Sequence, residues 1–241
     1  MSGTQFGTLY GIGVGPGDPE LITLKAHGIL QSAPVIAYPA PAGNMADGDS
    51  LARRIAAPHI PQGRREIVIP IPLDPKTSSD RSAYDGAAAE IGAVLDAGDD
   101  VAVLCEGDPF FYGSFMYLFD RLSEAYPVQV VPGISSLMAC AAAALMPLVA
   151  RNESLSVLPA TMAEADLYAR LSAADAVAIL KVGRHAAKII RILDDMNLLS
   201  HAQYIAHATL AEQVVRPLAH VDPSDVPYFA MILVRRGAVG A

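Results

Sequence analysis

The sequence predicts an α/β protein of two α/β domains with mixed, mostly parallel sheets. Short runs rich in β-branched residues alternate with stretches whose apolar residues recur at three- and four-residue spacing, the signature of strands joined by crossover helices. Toward the end the alternation stops. Residues 213–218 and 228–234 read as consecutive strands with no long helix between them, which implies an antiparallel finish.

Taken in order, the strand candidates are residues 9–14, 35–38, 66–71, 101–105, 128–131, 155–158, 176–180 and 204–207. Val101-Ala102-Val103-Leu104-Cys105 is apolar at every position, as a strand covered on both faces must be. Between these runs, residues 20–30, 84–95, 115–124, 163–171 and 186–195 carry the helical spacing. The stretch Glu124-Ala125-Tyr126-Pro127 follows a run of strand–helix alternation and precedes a fresh series, so the expected domains are residues 1–125 and 126–241. Residues 39–48 and 72–79 are rich in turn formers and read as surface connections or binding flaps.

The 241 residues are 52% hydrophobic and 17% charged, which excludes a largely disordered chain. Alanine supplies 41 of them, favouring helices and close packing. Residues 137–150 form the longest apolar run; it is shorter than the roughly 18 residues a membrane span needs, and Pro147 interrupts it. No basic stretch followed by an apolar block opens the chain, so neither a membrane partner nor export is expected and the cytoplasm is the expected compartment. Cys105 and Cys140 lie in apolar segments without metal-ligand spacing and read as buried free thiols. With 17 Lys and Arg against 25 Asp and Glu, the net charge of −8 argues against a nucleic-acid partner. Arg53, Arg54, Arg64 and Arg65 are nonetheless a local concentration of positive charge.

Three strand-to-helix junctions share one construction. Gly11-Ile12-Gly13-Val14-Gly15-Pro16-Gly17-Asp18-Pro19-Glu20 combines glycines that permit positive φ and close approach with Asp18 and Pro19 as a helix start. Cys105-Glu106-Gly107-Asp108-Pro109 repeats the Gly-Asp-Pro, and Val131-Pro132-Gly133-Ile134-Ser135-Ser136 offers capping hydroxyls. Ligands bind at the carboxyl ends of strands in open α/β sheets, so three such turns would converge on one site. The site is not a dinucleotide fingerprint, because Pro16 or Asp18 occupies the third glycine position in either register. No Gly-Lys pair, His-Glu-x-x-His or Gly-x-Ser-x-Gly is present, and six scattered histidines show no metal-ligand spacing, so no metal site is expected.

The segments from Gly13 to Leu21 with Lys25-Ala26, from Glu106 to Ser114 and from Val131 to Ser136 resemble the signature blocks of the tetrapyrrole methylase family. The resemblance runs in order from Thr8 to Val234. Ala37-Tyr38-Pro39-Ala40-Pro41-Ala42-Gly43, Leu104 to Phe119, Leu158 to Thr161 and Leu180 to Arg184 resemble the branch that methylates the C-20 meso carbon of precorrin-2. One departure is Ala206-His207 after Tyr204-Ile205, where that branch carries an acidic-then-basic pair.

The resemblance implies S-adenosylmethionine as co-substrate, a reduced tetrapyrrole as substrate, a homodimer, and a cofactor in the cleft between domains. It places the cofactor against Pro16, Glu106, Gly107, Asp108, Phe111, Ser135, Ser136, Leu180 and Ala208. Asp108 has two roles open to it, helix cap or acceptor from the cofactor's amine or ribose. Glu106, beside the cofactor turn, is the candidate acceptor for the meso proton, with a capping or a solvated carboxylate as its alternative. A substrate bearing several carboxylates needs local positive charge on an acidic protein. Arg53, Arg54, Arg64, Arg65, Lys181, Arg184 and His185 are the candidates, against the alternative of a solvated charged face. Tyr112 and Tyr117 are expected either in the ring pocket or in the core with their phenylalanine neighbours.

Overall fold

The computed structural model describes residues 6–41, 50–71 and 82–237. The expected flap at 72–79 and most of that at 39–48 lie outside these residues. The chain divides into two compact units, Met1–Ser135 and Ser136–Ala241.

The first unit runs β1 (Leu9–Gly13), α1 (Leu24–Ser32), β2 (Val35–Pro41), α2 (Leu51–Ala56), β3 (Arg65–Ile71), α3 (Ser82–Asp96), β4 (Val101–Cys105), α4 (Phe115–Leu122) and β5 (Val128–Val131). Its sheet has the order β3-β2-β4-β1-β5, and every pair is parallel. β4 is buried at all five positions, as its unbroken apolar run requires. α4 buries Phe115, Leu118 and Leu122, one helix face. Gly11 makes room for it: a Cβ there would lie 2.5 Å from the Phe115 ring.

The second unit runs α5 (Ser136–Ala143), β6 (Leu155–Pro159), α6 (Glu164–Ala173), β7 (Ala176–Leu180), α7 (Ala186–Asp195), β8 (Ala202–Ala206), β9 (Val214–Pro217) and β10 (Ala230–Arg235). The order is β6-β7-β10-β8-β9, with β6–β7 parallel and the other three pairs antiparallel. The antiparallel finish is therefore present, and it dominates this sheet. α7 turns Ile189, Ile192 and Leu193 into the core. Arg235, at the end of β10, is buried on a two-oxygen contact with Glu153 at 2.7 and 2.9 Å.

Three features differ from expectation. The division falls at 135/136 instead of 125/126, because β5 pairs with β1 from Leu9↔Val128 to Ile12↔Val131. Tyr126, which punctuates the sequence like a linker, packs on Phe6 at 5.4 Å and donates to Asp96 at 3.0 Å. Second, Asp18 and Pro19 start a single 3₁₀ turn over Pro19–Leu21, and α1 begins later, where Thr23 Oγ1 accepts from Ala26 N–H at 3.2 Å. Third, α2 and α5 are additional helices: the first is only six residues long, and the second is too uniformly apolar to show a periodic face. Among the described residues no helix is long and apolar enough to cross a membrane.

Candidate active site

The order β4-β1-β5 sets the turns after these three strands side by side at the carboxyl end of the first sheet. They are joined backbone to backbone. Gly107 N–H donates to Gly15 O at 2.7 Å and Gly15 N–H to Gly107 O at 3.3 Å, with φ of +64° and +81° respectively. A Cβ on Gly133 would stand 2.0 Å from Gly107 O, and one on Gly13 would stand 2.5 Å from Gly133 N. Glycine is thus required at 13 and 133 because a neighbouring turn, and not only a ligand, approaches closely.

Asp108 ties two of the turns together. Its Oδ1 accepts from Phe110 N–H at 2.9 Å and its Oδ2 from Gly133 N–H at 3.0 Å, tethering the second turn to the third. It is not a helix cap, since α4 starts only at Phe115. A carboxylate has about four acceptor sites, so each oxygen keeps capacity for a second donor. Glu106 reaches to α2, where its Oε1 accepts from Ala52 N–H at 3.2 Å. Burial pushes its carboxyl above the usual range, outweighing the backbone N–H bonds that lower it.

In the second unit, β7 and β8 both run antiparallel to β10, so their carboxyl ends share one edge. Leu180 ends β7 and is followed by Lys181 in a left-handed conformation, φ +56°. Ala208 lies past β8 between His207 and Thr209, whose φ values are +51° and +69°. These positive φ values mark both strand ends as sharp, constrained turns.

Residues 8–222 match the family described as tetrapyrrole (corrin/porphyrin) methylases. The chain belongs to this family. A precorrin-2 C(20)-methyltransferase from Sinorhizobium sp. is 40% identical, over 97% of each chain. A cobalt-precorrin-2 C(20)-methyltransferase from Salmonella typhimurium is 34% identical, over 95% of this chain and 97% of that one. Among solved structures, a uroporphyrin-III C-methyltransferase from Thermus thermophilus complexed with S-adenosylhomocysteine aligns with TM-score 0.66 at 21% identity. It covers 95% of this chain and 92% of that one, and supports the fold.

As a methylase of this family the protein works with S-adenosylmethionine, and the three turns fit such a group. Residues 13–19, 105–114 and 131–136 contain Asp18, Glu106 and Asp108 but no lysine or arginine. A locally acidic, glycine-rich cradle suits a ligand whose sulfonium and amine are cationic. The structure brings Pro16, Glu106, Gly107, Asp108, Phe111 and Ser135 to this end of the first unit. Ser136 opens α5 in the second unit, Leu180 ends β7, and Ala208 lies two residues past the end of β8.

The methylase's expected substrate contacts are sorted differently. Arg64 and Arg65 lie at the amino end of β3, at the end of the sheet opposite the turns. Arg64 Nη2 donates to Gln31 O at 2.6 Å, and Arg65 pairs with Glu90 at 3.1 Å. Arg53 forks onto both oxygens of Glu66, at 2.8 to 3.1 Å, and holds that carboxyl below its usual range. Arg54 is exposed on the same helix. Tyr112 is exposed at φ +57° against Phe111, ring centroids 5.2 Å apart. Tyr117 packs beside the core against Tyr84, ring centroids 4.9 Å apart and planes tilted by 54°. Lys181 and Arg184 are exposed at the end of β7, where Arg184 Nε lies 3.4 Å from His185 Nε2. Burial lowers the His185 pKa, with Lys188 and Arg184 adding to the effect.

Two hollows lie elsewhere. One of about 550 Å³, lined by Phe6, Thr8, Pro34 and residues 98–100, sits at the amino ends of the strands. The other, about 460 Å³, gathers His207, Arg216, His220, Asp222 and Asp225 in the second unit. Sequence reasoning missed this grouping, because Arg216 and His220 carry no motif and meet His207 only through the β8–β9 pairing.

Proposed function

We propose that the protein transfers the methyl group of S-adenosylmethionine to the C-20 meso carbon of precorrin-2, giving precorrin-3A in cobalamin biosynthesis. The observation that carries this is 40% identity, spanning 97% of both chains, to a relative named for that reaction. A second substrate, cobalt-precorrin-2, is favoured by one observation, the 34% identity to the Salmonella relative.

S-adenosylmethionine supplies a methyl already activated as a sulfonium, so the protein's task is alignment, which contributes on the order of 7–11 kcal/mol. Pro16, Gly107, Phe111, Ser135, Ser136, Leu180 and Ala208 would hold the cofactor through backbone and shape. Asp108, with its spare acceptor sites, would take the amine or a ribose hydroxyl. Glu106 would accept the meso proton on its second oxygen, and its raised pKa makes it a stronger base than an ordinary carboxylate. Arg54, Lys181 and Arg184 would meet the substrate's carboxylates, and Tyr112 its ring face; Arg53, already on Glu66, would serve by positioning α2. A homodimer is supported by exposed apolar side chains at Ile134, Met138, Leu145 and Val149, and a reducing, cytoplasmic setting by two buried free thiols.

The test is anaerobic incubation with S-adenosylmethionine and precorrin-2 or its cobalt form, read by mass spectrometry. One methyl added at C-20 of the metal-free substrate is expected. Preference for the cobalt form selects the second substrate, and no methyl on either, despite cofactor binding, overturns both.

A further inference from the structure

We propose that His27 and His59 form a two-imidazole site for a divalent transition-metal ion of the zinc, nickel and copper class. The two residues lie 32 positions apart, His27 on α1 and His59 at the end of the 3₁₀ turn Ala57–His59 that follows α2. The fold brings their Nδ1 atoms to 3.2 Å, with ring centroids 5.2 Å apart and planes at 89°. Two nitrogens each about 2.0–2.1 Å from a tetrahedral zinc ion are about 3.3–3.4 Å apart, and rings ligating in line place their centroids about 5.2 Å apart. The centroid separation is met, and the nitrogens need to part by only about 0.1–0.2 Å, a small movement of the side chains.

The tautomers agree with this use. His59 Nε2 stands 3.0 Å from the Pro19 carbonyl, which can only accept, so Nε2 carries the hydrogen and Nδ1 presents a lone pair toward His27. A ring N–H given to a backbone carbonyl is the support that orients and polarises a metal-ligating histidine. Gln31 Nε2 adds a second hold by donating to His59 O at 2.7 Å. Without a metal, the same Nδ1 pair is a hydrogen bond in which His27 donates; with an ion between them, His27 carries its hydrogen on Nε2, exchanged through solvent, and its Nδ1 lone pair is free to ligate. Among the described residues no group of three or more His, Cys, Asp or Glu gathers to hold a metal. The ion would therefore rest on two imidazoles with water completing its shell, a donor set that suits zinc, nickel and copper and not magnesium or calcium. Bound there, it would join α1, the 57–59 turn and the residues that follow the first glycine turn.

The experiment is calorimetric titration of the full-length protein, stripped with EDTA, using Zn²⁺, Ni²⁺ and, as a control, Mg²⁺. One Zn²⁺ or Ni²⁺ per chain and no heat from Mg²⁺ are expected. His27→Ala and His59→Ala should each weaken zinc binding at least tenfold with the circular dichroism spectrum unchanged. His59 also holds Pro19, so if that variant folds poorly, His27→Ala, on the exposed side of the pair, decides the matter alone. Zinc affinity unchanged in His27→Ala, or no binding by the parent protein, overturns the proposal and leaves the pair as a hydrogen bond between two side chains.

Discussion

A carboxylate set where two peptide N–H groups converge is hard to replace, and Asp108 is in that position between Phe110 and Gly133. Asp108→Ala should leave both donors short of an acceptor, at about 1–3 kcal/mol, a Tm lower by roughly 2–12 °C by calorimetry. Cofactor affinity should fall with it. Full thermal stability combined with lost affinity would make Asp108 a ligand and not a tether. Glu106 links stability to pH. Its folded pKa lies above its unfolded value, so ionisation costs stability progressively as pH rises from the unfolded pKa through the folded one. Glu106→Gln keeps the acceptor for Ala52 N–H and removes that cost. The variant should therefore melt at or above the parent's temperature near neutral pH while kcat drops, by about 10²–10⁴-fold if Glu106 takes the proton. Unchanged kcat would remove it from the reaction.

The strands and most helices were legible because their signal is local: β4, β5, β7 and α7 fall at residues 101–105, 128–131, 176–180 and 186–195, as their patterns imply. The three turns were legible as glycine motifs, but the reason for the glycines was not. Contact between Gly13, Gly107 and Gly133 depends on strand order, which single-segment patterns do not encode. Two substitutions of the same chemistry therefore diverge. Gly133→Ala must push its Cβ away from Gly107 O, 2.0 Å distant, and should destabilise by at least about 1–3 kcal/mol and disturb cofactor binding. Gly28→Ala, in the middle of α1 with nothing within 4 Å, should stabilise by about 0.4–1 kcal/mol. Thermal melts of both variants check this; equal effects would mean that the turn contact is unimportant.

At the scale of the chain, the sequence showed two α/β units but not where they part, since β5 joins the first sheet by pairing with a strand more than a hundred residues earlier. The same blindness to distance hid which arginines are committed. Arg53, Arg64 and Arg65 lie within thirteen positions of sequence yet engage Glu66, Gln31 and Glu90, whereas Arg184 is exposed beside His185 at the end of β7. A chain of net charge −8 repels a polycarboxylate at long range, so each exposed cation near the substrate acts on encounter as well as contact. Arg184→Glu should therefore raise the KM for the tetrapyrrole several-fold at low salt while leaving S-adenosylmethionine affinity unchanged. The difference should shrink toward 1 M salt, where the screening length falls from about 10 Å at 0.1 M to about 3 Å. Steady-state kinetics across that range measure it. A KM effect that persists at high salt would indicate a direct, desolvated contact, and no effect at any salt would place the substrate away from this strand end.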